Sequence, residues 1–281
     1  MSKFDIYETI TNRLCEELEK GNIPWQKPWF GNREGAISGS TGKPYSLINQ
    51  MLLCMEGEWF TYKQAEALGA KVRKGEKSSM VVFWKQYKKT EKNAKGEDEE
   101  VTIPVLKYFN VFHESQIEGL PEKKDRPVID HIDPHAEAEA IATGYLKRSG
   151  VTLHREDISN KAFYQPSTDS VTLPKMEQFS KQAEYYSTLF HELVHSTGHH
   201  SRLNRINTKA AFGSDDYSKE ELVAEIGAAA LVNRCGLETS SSFRNSTAYV
   251  QSWLDALRND KRMLVSATSR AEKAVNLILG I

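Results

Sequence analysis

The sequence predicts an α+β fold in two parts, an N-terminal part built around two strands and a C-terminal part dominated by helices. Three observations carry this. Ser79–Tyr87 and Val105–Phe112 are rich in β-branched and aromatic residues, the composition of strands. Asp5–Lys20, Pro134–Arg148, Lys181–Thr197 and Ser218–Asn233 repeat apolar residues at helical spacing. Between these regions, a stretch carrying Pro121, Pro127 and mixed charge follows neither pattern and reads as a linker. The expected division is residues 1–120, a linker over 121–133, and residues 134–281; a chain of 281 residues is long enough for two cores.

The elements follow in order. Ile6, Ile10, Leu14 and Leu18 share one helical face, which Asp5 can cap and Gly21 can end. Pro24 and Pro28 then forbid a regular helix, and Trp25, Trp29 and Phe30 demand burial or a ligand. Gly31 to Gly42 reads as a loop. Ser46–Met55 is a second helix, and a third opens on Thr61 as N-cap and stops at Gly69. The two strands come next, joined by a charged arm from Lys88 to Glu100 that is expected to be structureless. After the linker and the helix Pro134–Arg148 come a short strand, Val151–His154, and a hairpin. The hairpin pairs Ala162–Tyr164 with Ser170–Leu173 across turn residues Gln165–Asp169. Four helices complete the chain: Lys181–Thr197, Ser218–Asn233 with Gly236 beyond it, Tyr249–Arg258 and Ser269–Leu279.

Composition narrows the function. A formal net charge of −1 excludes a DNA mimic, which needs a large acidic excess, and confines any nucleic-acid binding to a local patch. No stretch approaches the ~20 apolar residues that span a bilayer, so no membrane partner is expected. Cys15, Cys54 and Cys235 form no C-x-x-C pair, and no apolar signal core follows Met1. These features point to reduced thiols in the cytoplasm.

The chemistry concentrates in His191-Glu192-Leu193-Val194-His195. On a helix, His191 and His195 project from one face and can hold one metal ion. Glu192 lies close enough to act as general base on a water that the metal acidifies. Zn2+ is the expected ion, with Mn2+ as the alternative. A third ligand is required. A third histidine fits poorly, because the position the metzincin spacing requires is Ser201. Glu221 and Glu225 stand at i and i+4 on a later helix, among small residues that admit a close neighbour. This matches the gluzincin pattern, with Glu221 as ligand and Glu225 as partner to a histidine N–H; the reversed assignment stays open. Val171–Leu173, just before the metal helix, is either the edge strand on which an extended substrate pairs or an ordinary core strand.

A second cluster lies between Lys71 and Lys95, where basic residues outnumber acidic ones and aromatics interleave. Lys71, Arg73, Lys74, Lys77, Lys85 and Lys88 suit phosphates, while Trp84 and Tyr87 suit unpaired bases; the target is single-stranded DNA. The acidic run Glu97–Glu100 opposes this reading.

Linked motifs along the chain resemble the ArdC family of antirestriction proteins from plasmids and other mobile elements. They are Ile23–Trp29, Tyr45–Asn49, Trp59–Ala65, Leu68–Lys77, Val81–Lys85, Val111-Phe112, Gln116–Pro121, Phe179, His191–Gly198, Arg202–Arg205 and Glu220–Gly227. The resemblance implies an N-terminal α+β domain that binds single-stranded DNA and a C-terminal zincin-like, gluzincin-type metallopeptidase domain. It also implies protection of incoming DNA from restriction during conjugation. The family pattern has Asn where His113 stands. Three functions follow as expectations. One is a peptidase recruited by single-stranded DNA to an unknown protein substrate. Another is a DNA-binding protection protein whose metal site is structural or vestigial. The third is a regulatory peptidase that cuts a repressor. The intact general base favours the first.

Overall fold

A computed structural model describes residues 5–20, 23–26, 35–92, 98–121, 133–156, 161–206, 215–237 and 246–281. Trp29 and Phe30, most of the expected linker and the tip of the charged arm lie outside these residues.

The first helix, α1 (Ile6–Glu19), starts where the Asp5 carboxylate accepts the N–H groups of Tyr7 and Glu8 at 3.0 and 3.3 Å. Beyond a 3-10 turn at Pro24–Gln26 come β1 (Ala36–Ser38), α2 (Leu47–Leu53), β2 (Gly57–Phe60) and α3 (Tyr62–Ala67). Helix α3 opens on a full capping box, in which Thr61 and Gln64 each satisfy the other's backbone N–H. Then follow β3 (Lys71–Val72), the long strands β4 (Ser79–Lys92) and β5 (Asp98–His113), and β6 (Ile117–Glu118). One sheet runs β1-β2-β5-β4, and β3 pairs with β6.

The expected structureless arm is corrected. β4 and β5 stay in antiparallel register from Ser79↔Val111 out to Lys92↔Asp98. The ladder satisfies the backbone of the polar residues, and opposite charges meet across it, as in Lys88–Glu100 at 2.5 Å. His113 also acquires a role. Its ring nitrogens meet Ser115 Oγ and the Glu56 carbonyl at 2.7 and 2.8 Å, and it caps the turn that follows β5.

The C-terminal part begins with α4 (Pro134–Ser149), followed by β7 (Thr152–Glu156), β8 (Phe163–Gln165) and β9 (Ser170–Pro174). Four helices follow: α5 (Gln182–Thr197), α6 (Asp215–Arg234), α7 (Ser246–Asn259) and α8 (Met263–Leu279). The small sheet runs β7-β9-β8, with β9 in the middle and buried throughout. Val171–Leu173 is therefore a core strand, and the edge beside the metal helix belongs to β8.

Helices α5 and α6 pack closely. A Cβ at Gly227 would lie 2.8 Å from Val194 Cγ2, so only glycine admits this approach. The main core joins both ends of the chain. Trp25 is fully buried, edge-to-face on Trp253 at 5.4 Å. Thr11 Oγ1 donates to the Lys261 carbonyl at 2.9 Å, and the Lys261 ammonium meets Asp5 at 2.5 Å. From the other direction, Glu272 of α8 accepts the Leu47 N–H at the start of α2.

Candidate metal centre

Helix α5 presents His191 and His195 on one face, their rings inclined by 79° with Nε2 atoms 3.1 Å apart. Helix α6 crosses so that Glu221 faces both. Its Oε2 lies 3.5 Å from His191 Nε2 and its Oε1 lies 3.4 Å from His195 Nε2. Ligands at ~2.0–2.1 Å around a tetrahedral ion are separated by roughly 3.3 Å, so these donors have metal-site spacing. Glu225 approaches His191 from the other side of the ring, with Oε1 3.7 Å from Nδ1. Its Oε2 is buried without a hydrogen-bond partner among the described residues. The site thus gathers two imidazoles and several carboxylates in a poorly solvated place, which a divalent cation balances.

Electrostatics says the same. Burial would raise the Glu221 carboxyl, but hydrogen bonds from His191 and His195 hold it well below the carboxylate range. Burial opposes a charged His195, yet the Glu220 and Glu221 carboxylates push its pKa up to about 10. His191 is raised as well, Glu221 overcoming the effect of burial. Glu225 is raised by burial itself. The raised His195 favours a proton that offsets the carboxylates around it, and a bound ion would take the place of that proton.

One member of the site escaped the sequence reading. Glu220, not Glu225, makes the closer contact to a histidine N–H, with Oε1 at 3.2 Å from His195 Nδ1. Arg205 fixes Glu220 with bonds of 2.9 Å to each carboxylate oxygen, and also donates to Thr197 Oγ1 at 2.6 Å and to the Val194 carbonyl. The available signals were the doubled glutamate and Arg205 in the Arg202–Arg205 motif. Arg202 works in the other direction. It bonds both Asp169 oxygens at 2.5 and 2.9 Å and the Ser196 carbonyl at 2.9 Å, tying the end of α5 to the β8–β9 turn. The segment between them turns sharply. Asn204 has a positive φ of 46°, and a Cβ at Gly198 would meet Ile206 Cγ1 at 2.6 Å.

These elements enclose a cleft of about 800 Å3 lined by His191, Glu192, His195 and Glu221, with Phe163 and Tyr164 of β8 along one side. Glu192 is buried, at 7% exposure, yet reaches the cleft. Tyr217 and Arg270 stand on the wall, whereas Tyr185 and Tyr186 are core residues. His199 turns away to Ser201 Oγ at 2.7 Å.

The basic–aromatic set is divided rather than gathered. Lys71, Arg73, Lys74 and Lys77 are exposed on β3 and the turn after it, with Arg73 held by Glu76 at 2.9 Å. In β4, strand alternation puts Lys85 and Tyr87 on one face and Trp84 and Lys88 on the other.

Comparison with known proteins agrees with this architecture. Residues 4–112 match the family model for the N-terminal domain of anti-restriction factor ArdC, and residues 138–270 match that of a zincin-like metallopeptidase. Crystal structures of the antirestriction ArdC protein from plasmid R388 superpose with a TM-score of 0.77 at 36% identity. The metal-free structure covers 98% of this chain and 97% of its own, and a Mn(II)-bound structure covers 99% and 98%. The protein y4eC of Sinorhizobium fredii is 31% identical, matching 96% of this chain and 90% of its own length. The DNA primase TraC of Escherichia coli occurs in two versions, 37% and 38% identical over 99% of this chain. The chain spans only 20% and 27% of those primases. Near-complete coverage by the R388 protein, with both family models in the same order, shows that this chain belongs to the ArdC family of antirestriction proteins.

Proposed function

We propose that the chain is a zinc-dependent peptidase, brought by its N-terminal part to single-stranded DNA in the cytoplasm, where it cuts a protein substrate and so protects incoming DNA. One observation carries the peptidase reading. Glu192 is buried at the cleft beside His191, His195 and Glu221, yet none of the hydrogen bonds that fix the cluster involves it. A structural metal has no use for such a carboxylate; a hydrolase does.

Bound by His191, His195 and Glu221, a divalent ion supplies Lewis acidity to a water and to the scissile carbonyl. Two imidazoles and one carboxylate suit Zn2+, and Mn2+ is the alternative in view of the R388 relative. Glu192 accepts the proton of the attacking water and returns it to the leaving amine. The open edge of β8 pairs with the extended substrate main chain beside it. Tyr217 and Arg270 are the donors on the cleft wall for the oxyanion. Lys71, Arg73, Lys74, Lys77 and the face of the β4–β5 ribbon that carries Lys85 and Tyr87 provide the DNA contacts.

The test compares wild type with Glu192→Ala in a restricting recipient during conjugation, with new protein N-termini mapped by terminal labelling. Termini that depend on Glu192, together with loss of protection, are expected. Identical termini from both proteins would remove the peptidase reading. Full protection by the variant would leave a DNA-binding protein with a structural metal.

A further inference from the structure

The β4–β5 ribbon has two unlike faces. Val82 and Leu106, on one, belong to the main core. The other carries Val81, Phe83, Lys85 and Tyr87 from β4, with Phe109 and Lys107 opposite Val81 and Phe83 in register. On this second face a groove of about 880 Å3 is floored by Val81, Phe83, Phe109 and Val111. Its walls are the turn from Ser38 to Ser46 and the start of α3. The Phe83 ring stands edge-to-face on Phe109 at 5.8 Å and lies 6.0 Å from Tyr45. Phe83 and Phe109 are 43% and 41% exposed and Tyr62, on the wall, 58%. Clustered exposed rings mark a binding surface.

Charge identifies the occupant. Lys43 and Lys63 line the groove, and Lys85 and Lys107 continue along the same face. None of these four meets a carboxylate within 4.0 Å among the described residues. Farther out, Lys88 and Lys89 are neutralised by Glu100 and Glu91. Same-face side chains recur every ~6.8 Å along a strand, so rings and ammonium groups alternate at a regular step. Open ring faces interleaved with cations suit a chain of unpaired bases and phosphates; a duplex hides its base faces, and an apolar partner would leave the lysines desolvated.

We propose that this groove is where the unpaired bases of single-stranded DNA stack, on Phe83, Phe109 and Tyr62, with Lys43, Lys63 and Lys85 against the backbone. The inference deepens the single-strand reading above and rests on it. Trp84, on the opposite face, lies outside the site.

The experiment uses the full chain and a short fluorescein-labelled oligothymidylate, followed by anisotropy, with the matching duplex as reference. Tyr62→Ala and Phe109→Ala should each weaken single-strand binding roughly tenfold. Trp84→Ala should stay within about twofold. A halouracil-substituted strand should photocrosslink to the peptides holding Phe83 or Phe109. Unchanged thermal melting shows that each variant is folded; Tyr62, the most exposed of the three rings, serves if Phe109→Ala unfolds. Wild-type-like binding by folded groove variants, or a loss confined to Trp84→Ala, overturns the groove while leaving single-strand binding intact. Absence of single-strand binding by wild type overturns both.

Discussion

The metal centre and the β4–β5 ribbon solve opposite problems. In the first, the side chains that would hold the ion are largely withdrawn from water and face named partners, Glu221 both histidines, Glu220 His195 and Arg205, and Glu225 His191, while Glu192 stays outside these contacts. In the second, side chains stand on an exposed two-stranded ladder with few fixed partners. A site that holds a small hard ion gains from rigidity, because ligand spacing decides affinity. A site that grips a flexible polymer gains from repetition. The same substitution should therefore cost far more in the centre than on the ribbon.

The largest effect belongs to Glu192. Glu192→Gln keeps the shape and all three proposed ligands, so metal content should match wild type while peptidase rate falls ~10²–10⁴-fold. Metal analysis beside turnover checks this, and loss of the metal would show that Glu192 is structural. Next is Glu220→Gln, which removes the anion that orients His195. Metal affinity should fall ~10–100-fold in a competition titration with a chromophoric chelator, with the fold intact. Wild-type affinity would make the Glu220–Arg205 link a mere packing contact. Metal binding should also release protons near neutral pH, since His195 in the metal-free chain keeps its proton up to about 10. Calorimetry in buffers of different ionisation enthalpy measures the number released, and a value of zero refutes the arrangement.

A smaller effect concerns the link from Arg202, just beyond α5, to Asp169 in the β8–β9 turn. Arg202 holds the Asp169 carboxyl below its ordinary range, so the folded chain binds that proton more weakly than the unfolded chain. Their link is therefore present above the usual aspartate pKa of ~3.9 and fades as pH falls through the lower folded value. Arg202→Met should cost about 1–3 kcal/mol at neutral pH, and the loss should shrink in acid; denaturant melts at two pH values decide. The smallest effect is Lys88→Ala, whose exposed pair with Glu100 should contribute less than about 1 kcal/mol.

How much of this was readable follows from the range of each interaction. His191 and His195 share a face because helical spacing is local, and Thr61 caps α3 because its partner Gln64 is three residues away. Glu220 was unreadable because its contact with His195 depends on the angle at which α6 crosses α5. Strand order was unreadable for a similar reason. Alternation marks β8 and β9 as strands, but only the parallel pairing of β7 makes β9 central and leaves β8 at the edge. The arm between Lys88 and Glu100 looked too polar for a strand because propensity carries no knowledge of a partner already in register. His113 was uninformative in the sequence because its distant partner, the Glu56 carbonyl, meets it only once β2 and β5 are paired.

The docking of α1 on α7 ties the first helix to residues that are made late in synthesis. Thr11 and its partner Lys261 are 250 residues apart, and Trp25 finds cover on Trp253. During synthesis the apolar side of α1 therefore emerges long before its cover exists, and contacts of such high sequence separation form slowly. Until α7 has left the ribosome, the side of α1 that packs on it lacks that cover. The metal helix, buried in the same core, completes its packing only when both ends of the chain have met.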